Sequence, residues 1–135
     1  MSDRHEKEPK LFVSYTHQDA DLARKLRRAL GKLGIETFED AGYAGHVAAE
    51  LEKKLRVASC YVVLVSDKSV NSPNVNFEIG AAIGLEKKLI PVFLTRHARR
   101  DAPAPLRTRV GIFAEHMSPD DIAARIVGSI EREAA

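Results

Sequence analysis

Four short runs of β-branched, aliphatic and aromatic residues recur along this chain: Leu11–Tyr15, Ile35–Phe38, Tyr61–Val65 and Leu89–Leu94. The first, third and fourth are apolar enough to suit buried strands, while Ile35–Phe38, with Glu36 and Thr37, reads as a second strand between them. The segments between them are long enough for crossover helices, which make neighbouring strands parallel and join them right-handedly. With a shorter fifth run, Gly111–Ala114, the pattern predicts a flavodoxin-like three-layer α/β sandwich around a central, mostly parallel five-stranded sheet.

The segments between the runs carry helix signals. From Asp19 to Leu33, Leu22, Ala23, Leu26, Ala29, Leu30 and Leu33 fall at helical spacing against Arg24, Lys25, Arg27, Arg28 and Lys32. Asp19 is placed to cap that helix and Gly34 to stop it. Glu39 to Gly45 reads as a loop, with Gly42 and Gly45 free of the side-chain restrictions on backbone angles. A second helix is predicted over Val47–Val57 on the stripe Val47, Leu51, Leu55. Ser72 and Pro73 have the cap and first-turn chemistry that opens a third, running to about Glu86. Its Gly80 and Gly84 suggest a close approach by another backbone. Pro91 is awkward in a central strand and favours an edge or a bulge. Arg96 to Arg109, with Pro103 and Pro105, reads as an irregular surface connection. Ser118-Pro119-Asp120-Asp121 then opens a last helix on Ile122, Ile126, Val127 and Ile130.

At 135 residues with 44% apolar and 30% charged residues, one domain is expected, residues 10–135, after a flexible arm of residues 1–9. A chain of this size buries enough surface to need neither disulfide nor structural metal, and one cysteine, Cys60, forms no internal disulfide. The formal charge of +2 is too small to imply a grip on nucleic acid or anionic lipid. Residues 1–10 lack the apolar core of a secretory signal, and no apolar run approaches the roughly 18 residues of a membrane span. The expected location is cytoplasmic.

In open sheets of this kind ligands collect at the carboxyl ends of the strands, here after Tyr15, Phe38, Val65 and Leu94. There is no G-x-x-x-x-G-K-[ST] or G-x-G-x-x-G loop and no G-x-S-x-G elbow, which argues against phosphate-loop nucleotidases, dinucleotide-binding domains and serine hydrolases. His5, His17, His46, His97 and His116 are scattered without metal-ligand spacing, so no metal site is expected. A phosphoacceptor receiver would need acidic residues after the first strand, where Ser14-Tyr15-Thr16-His17 stands, to help Asp67 hold Mg²⁺.

Glu78 stands out as the one ionisable side chain in the apolar segment Val75–Leu85. A carboxylate there either lines a pocket with a chemical task or sits at the helix's outer edge, favoured by the positive N-terminus.

Several motifs, taken in order, resemble the Toll/interleukin-1 receptor (TIR) domain family from about Lys10 to the last helix. Leu11–Tyr15 followed by Asp19 is similar to the family's opening strand and S-Y-x-x-x-D signature. Gly34–Asp40 is similar to the second strand leading into the BB loop, with Gly45 near the loop's end. Ser72 and Glu78 match the region S-x-W-C-x-x-E, which carries the catalytic glutamate of enzymatic members; Asn74 stands in place of the tryptophan, and Val47 where some members have an aromatic residue. The form Ser72–Glu78 is similar to prokaryotic members.

The resemblance implies cleavage of the nicotinamide–ribose bond of NAD⁺, as substrate rather than cofactor, with Glu78 catalytic. It also implies that Tyr15, Thr16, Asp40, Tyr43, Ser72 and Asn74 contact the substrate. For several of these the residues themselves allow a plainer reading: Tyr15 as a core ring, Asp40 as a turn former, Tyr43 as loop surface, Ser72 as a cap. The products would be ADP-ribose or a cyclic isomer, made by a bacterial immune or antiphage signalling effector. Members assemble, so self-association through the loop 39–46 and a separate sensor or downstream effector protein are also implied. The rival expectation is a non-catalytic scaffold acting through TIR–TIR contacts alone.

Overall fold

A computed structural model describes residues 9–39 and 48–134. The expected arm, but for Pro9, the predicted helix start at Val47 and most of the loop 39–46, including Asp40, Gly42, Tyr43 and Gly45, lie outside the described residues. The strands are β1 (Lys10–Ser14), β2 (Glu36–Glu39), β3 (Cys60–Val65), β4 (Lys88–Phe93) and β5 (Ile112–Phe113). The α-helices are α1 (Ala20–Lys32), α2 (Ala48–Val57), α3 (Pro73–Gly84), two short ones, α4 (Ala98–Asp101) and α5 (Ala104–Arg107), and α6 (Pro119–Ala134). Every pairing is parallel, and the sheet order is β2-β1-β3-β4-β5.

Alternation along the central strands feeds two cores, which is why β3 is apolar at every position. Val62 and Leu64 pack with Leu26 and Leu30 of α1 and Ile122 and Ile126 of α6. Tyr61, Val63 and Val65 pack with Phe12 and with Val75, Ile79 and Ala82 of α3. Gly34 ends α1 with a φ of 82°, a backbone conformation that favours glycine. Leu33 lies outside the buried stripe of α1 and is half exposed.

Three expectations need correction. Pro91 lies within β4 between β3 and β5, not in an edge strand. Leu94 donates its N–H to Val65 on one side, while Phe93 accepts from Ala114 on the other. In a parallel ladder alternate residues face opposite neighbours, so Pro91, two before Phe93, turns its missing N–H toward β5 before β5 begins. The proline therefore deprives the ladder of nothing.

Residues 96–109 are not irregular throughout: α4 and α5 form there and seat Ala98, Ala102 and Leu106 in the core. The prolines open and separate these short turns rather than preventing them, since proline suits a first helical position. Gly80 and Gly84 have no close neighbour among the described residues, for a Cβ at either would meet nothing within 4 Å. The close approach is at Gly111, where a Cβ would lie 2.7 Å from the Pro91 carbonyl oxygen and 2.7 Å from the Phe93 ring.

Candidate active site

Strand β1 ends where its apolar run turns polar, and each of its three signature residues reaches a different element. Ser14 shares the strand face of Phe12, toward α3, and its hydroxyl donates to Glu78 Oε1 at 2.6 Å. The Tyr15 hydroxyl donates to Glu39 Oε1 at 2.5 Å, at the end of β2. Asp19 sits at the cap position of α1, yet its side chain caps nothing; it accepts from the Ser66 hydroxyl at 2.6 Å, just beyond β3. The cap expected of Asp19 is thus replaced by a bridge between two strand ends. These three contacts tie the carboxyl ends of β1, β2 and β3 to one another and to α3.

Glu78 lies on the inward stripe of α3 with Val75, Ile79 and Ala82, and only 2% of it is exposed. The outer-edge reading of this residue is therefore overturned. The carboxylate is held at the junction of β1 and β3, the point where the strand order reverses and where sheets of this order take ligands.

The positions expected around it fall as follows. Tyr15 and Thr16 are half-buried directly after β1, with the Thr16 carbonyl accepting from Asp19 N–H at 2.8 Å. Ser72 caps α3, accepting from Val75 N–H at 3.3 Å. Asn74 is exposed in the first turn of α3, four residues before Glu78 and so on the same helix face. Asp40 and Tyr43 lie outside the described residues. Ser66 forms a turn, with its N–H donating to Ser69 Oγ at 2.7 Å, in addition to its link to Asp19.

The residues read from sequence did not include Ser14, Glu39 or Arg27 as parts of the site. Arg27 pairs with Glu39 at 2.7 Å and donates to Thr37 Oγ1 at 2.9 Å, which fixes the carboxylate that receives the Tyr15 hydroxyl. Tyr15, Asp21, Arg24, Arg27 and Glu39 line a groove of about 400 Å³ beside these contacts. Period-two counting along β1 puts Ser14 with Phe12 on one face; nothing in the spacing identifies its partner 64 residues away.

Burial and neighbouring carboxylates shift two phenols near the site. Burial raises the Tyr15 phenol well above its ordinary value, and Glu39 and then Glu78 push it further. Tyr61, whose hydroxyl donates to the Leu55 carbonyl at 2.6 Å, is pushed up to about 12, first by burial and then by the charge of Glu78. A phenol raised in the folded state contributes stability that is complete below the unfolded value of 10.0 and is lost as pH climbs through about 12. Ultraviolet titration of wild type against Tyr61→Phe is expected to show Tyr61 ionising near pH 12, and at lower pH in Glu78→Gln; a Tyr61 midpoint near 10 in the folded protein would contradict this.

A five-stranded parallel sheet in this order, with polar side chains gathered at its switch point, defines a flavodoxin-like α/β domain. Among solved structures the chain is similar to the TIR domain of the Toll-related receptor TRR-2 from the lower metazoan Hydra magnipapillata. That likeness has a TM-score of 0.65 and 16% identity and covers 91% of this chain and 95% of that one. The structure of the RPS4 and RRS1 TIR domain heterodimer gives a TM-score of 0.66 at 15% identity, over 93% of this chain and 97% of that one. The diflavin flavoprotein A3 from Nostoc sp. gives 0.51 at 15% identity, over 93% and 98%, which agrees with the sheet order. A search of curated proteins found no match. The sequence model of the TIR domain matches residues 11–127, and the chain belongs to the TIR domain family. Among the described residues no helix is long and apolar enough to cross a membrane.

Proposed function

We propose that this TIR domain cleaves the bond between nicotinamide and ribose in NAD⁺, as a glycohydrolase or a cyclase, in a bacterial immune or signalling role. The observation that carries this reading is the Glu78 carboxylate, buried at the carboxyl end of the sheet and hydrogen-bonded to Ser14. As the N-glycosidic bond breaks, its electron pair passes to the pyridinium nitrogen, and nicotinamide departs neutral. No acid is needed to protonate it. The difficulty lies in the positive charge left on the ribose, and a fixed carboxylate shielded from water stabilises that charge strongly. Water adding at the anomeric carbon and losing a proton gives ADP-ribose; attack by an adenine nitrogen gives a cyclic isomer.

Tyr15, Thr16, Ser72 and Asn74 stand at the strand and helix ends where the rest of the dinucleotide would lie, and Asp40 and Tyr43 are proposed for its loop side. Self-association through the loop 39–46, and a separate sensor or effector protein, belong to the same proposal. The test is nicotinamide release from NAD⁺ by the purified protein, dilute and under crowding. Release that rises with assembly is expected; none under any assembling condition would favour the second reading. In that reading the domain is a non-catalytic scaffold. Its support is the likeness to a TIR heterodimer together with the exposure of Phe77 on the groove formed by α2 and α3.

A further inference from the structure

Ser14 occupies a position that the surrounding pattern would fill with an apolar side chain. It follows Leu11, Phe12 and Val13, all without exposure, is itself 1% exposed, and lies in register with Val63 of β3. A hydroxyl so placed must find a partner, since burying it unsatisfied is costly. Its partner is a carboxylate that is equally out of place among Val75, Ile79 and Ala82. The contact satisfies the hydroxyl and offsets part of the carboxylate's penalty, and 2.6 Å is a short hydrogen bond of the kind a hydroxyl gives a carboxylate oxygen. Among the described residues, the two phenols shifted by Glu78 direct their hydroxyls elsewhere, Tyr15 to Glu39 and Tyr61 to the Leu55 carbonyl.

The pair joins the end of a paired strand to a capped helix. Ser14 pairs with Val63 of β3 and directly follows Val13, which pairs with Glu39 of β2, so its Oγ has a fixed origin. Glu78 rides on a helix capped at Ser72 and packed along the sheet. A carboxylate on an aliphatic stem has three rotatable bonds, and its value to a developing cation depends on its being aimed before the cation forms.

Resting on the NAD⁺-cleaving reading, we infer that Ser14 is the positioning residue of the site, donating to Glu78 Oε1 to hold the carboxylate in the orientation that meets the ribose. Ser14 touches no reacting atom and acts through Glu78. Its removal therefore weakens transition-state stabilisation more than substrate binding.

The experiment compares wild type, Ser14→Ala, Ser14→Thr and Glu78→Gln in nicotinamide release under assembling conditions. It is paired with the carboxyl-carbon resonance of Glu78 in protein labelled with ¹³C-glutamate, the Glu78 signal being the one missing in Glu78→Gln. Ser14→Ala is expected to lose about 10- to 100-fold in kcat with KM within about twofold, the loss typical of a hydrogen bond to a charged group. Its Glu78 resonance is expected to move, while Ser14→Thr, which keeps the hydroxyl, restores most of the rate and the wild-type signal. Wild-type kcat in Ser14→Ala, or a Glu78 signal that stays in place, overturns the inference while Glu78→Gln remains inactive. Equal release by Glu78→Gln and wild type, or no release by wild type in any assembled state, overturns the NAD⁺-cleaving reading and the role of Ser14 with it.

Discussion

Glu78→Gln is expected to release nicotinamide at least about a thousandfold more slowly than wild type, while melting at the same temperature or a higher one. The two halves have one cause. The side chain is 2% exposed on the inward stripe of a helix whose other inward residues are Val75, Ile79 and Ala82. Taking a carboxylate out of water costs several kcal/mol, which neighbouring hydrogen bonds only partly offset. Glutamine keeps the shape and an oxygen to accept from Ser14, but it carries no charge to desolvate and none to offer a cation. A residue that lowers stability while serving chemistry is the usual mark of a functional site. Steady-state nicotinamide release and thermal denaturation of the same preparations decide the matter. A variant as active as wild type removes Glu78 from the chemistry, and a variant that melts far lower makes the carboxylate a structural group instead.

Gly111→Ala is expected to lose about 2–3 kcal/mol of stability, a fall of roughly 10 °C in Tm. The new Cβ would stand 2.7 Å from a backbone oxygen, that of Pro91, and 2.8 Å from the Pro91 ring. Neither is the loose end of a flexible side chain, so β5 itself has to move. The displaced segment includes Phe113, which stacks on Phe93 with centroids 5.2 Å apart and lies under the Arg99 guanidinium. Urea denaturation measures the loss. Less than about 0.5 kcal/mol would show that β5 shifts without penalty.

The strands β1, β3 and β4 were readable because they are buried on both faces along nearly their whole length, so composition alone marks them, and Gly34, Ser72 and Ser118 announced helix ends by local chemistry. Ser118 Oγ indeed accepts from Asp121 N–H at 3.1 Å. What failed was long-range. Pro91 was misplaced because strand order decides which side of a strand lacks a partner, and no local pattern carries strand order. Ala98, Ala102 and Leu106 were hidden among arginines and prolines, and their burial depends on what the end of β4 leaves uncovered. Gly80 and Gly84 looked purposeful by spacing, whereas Gly111 owes its importance to a contact twenty residues back in the chain, at Pro91.

The site divides in the same way. Glu78 was conspicuous as a charge in an apolar helix, yet α3 is apolar nearly all round, with Phe77 and Ile83 exposed, so its inward face could not be told from its outward one. The contact of Ser14 with Glu78 settles that orientation, beside two others at the strand ends, Tyr15 with Glu39 and Asp19 with Ser66. The signature S-Y-x-x-x-D is explained by them as a set of ties between strand ends.

The brevity of β5 bears on how copies of this domain can meet. Two paired residues, Ile112 and Phe113, form one margin of the sheet, too few rungs to recruit a foreign strand. The other margin, β2, is four residues long and carries Glu36 and Glu39, with Arg27 anchored across Thr37 and Glu39. Fibre-like growth by shared backbone hydrogen bonds is thus discouraged at both described margins, which leaves side chains as the better material for contacts between copies.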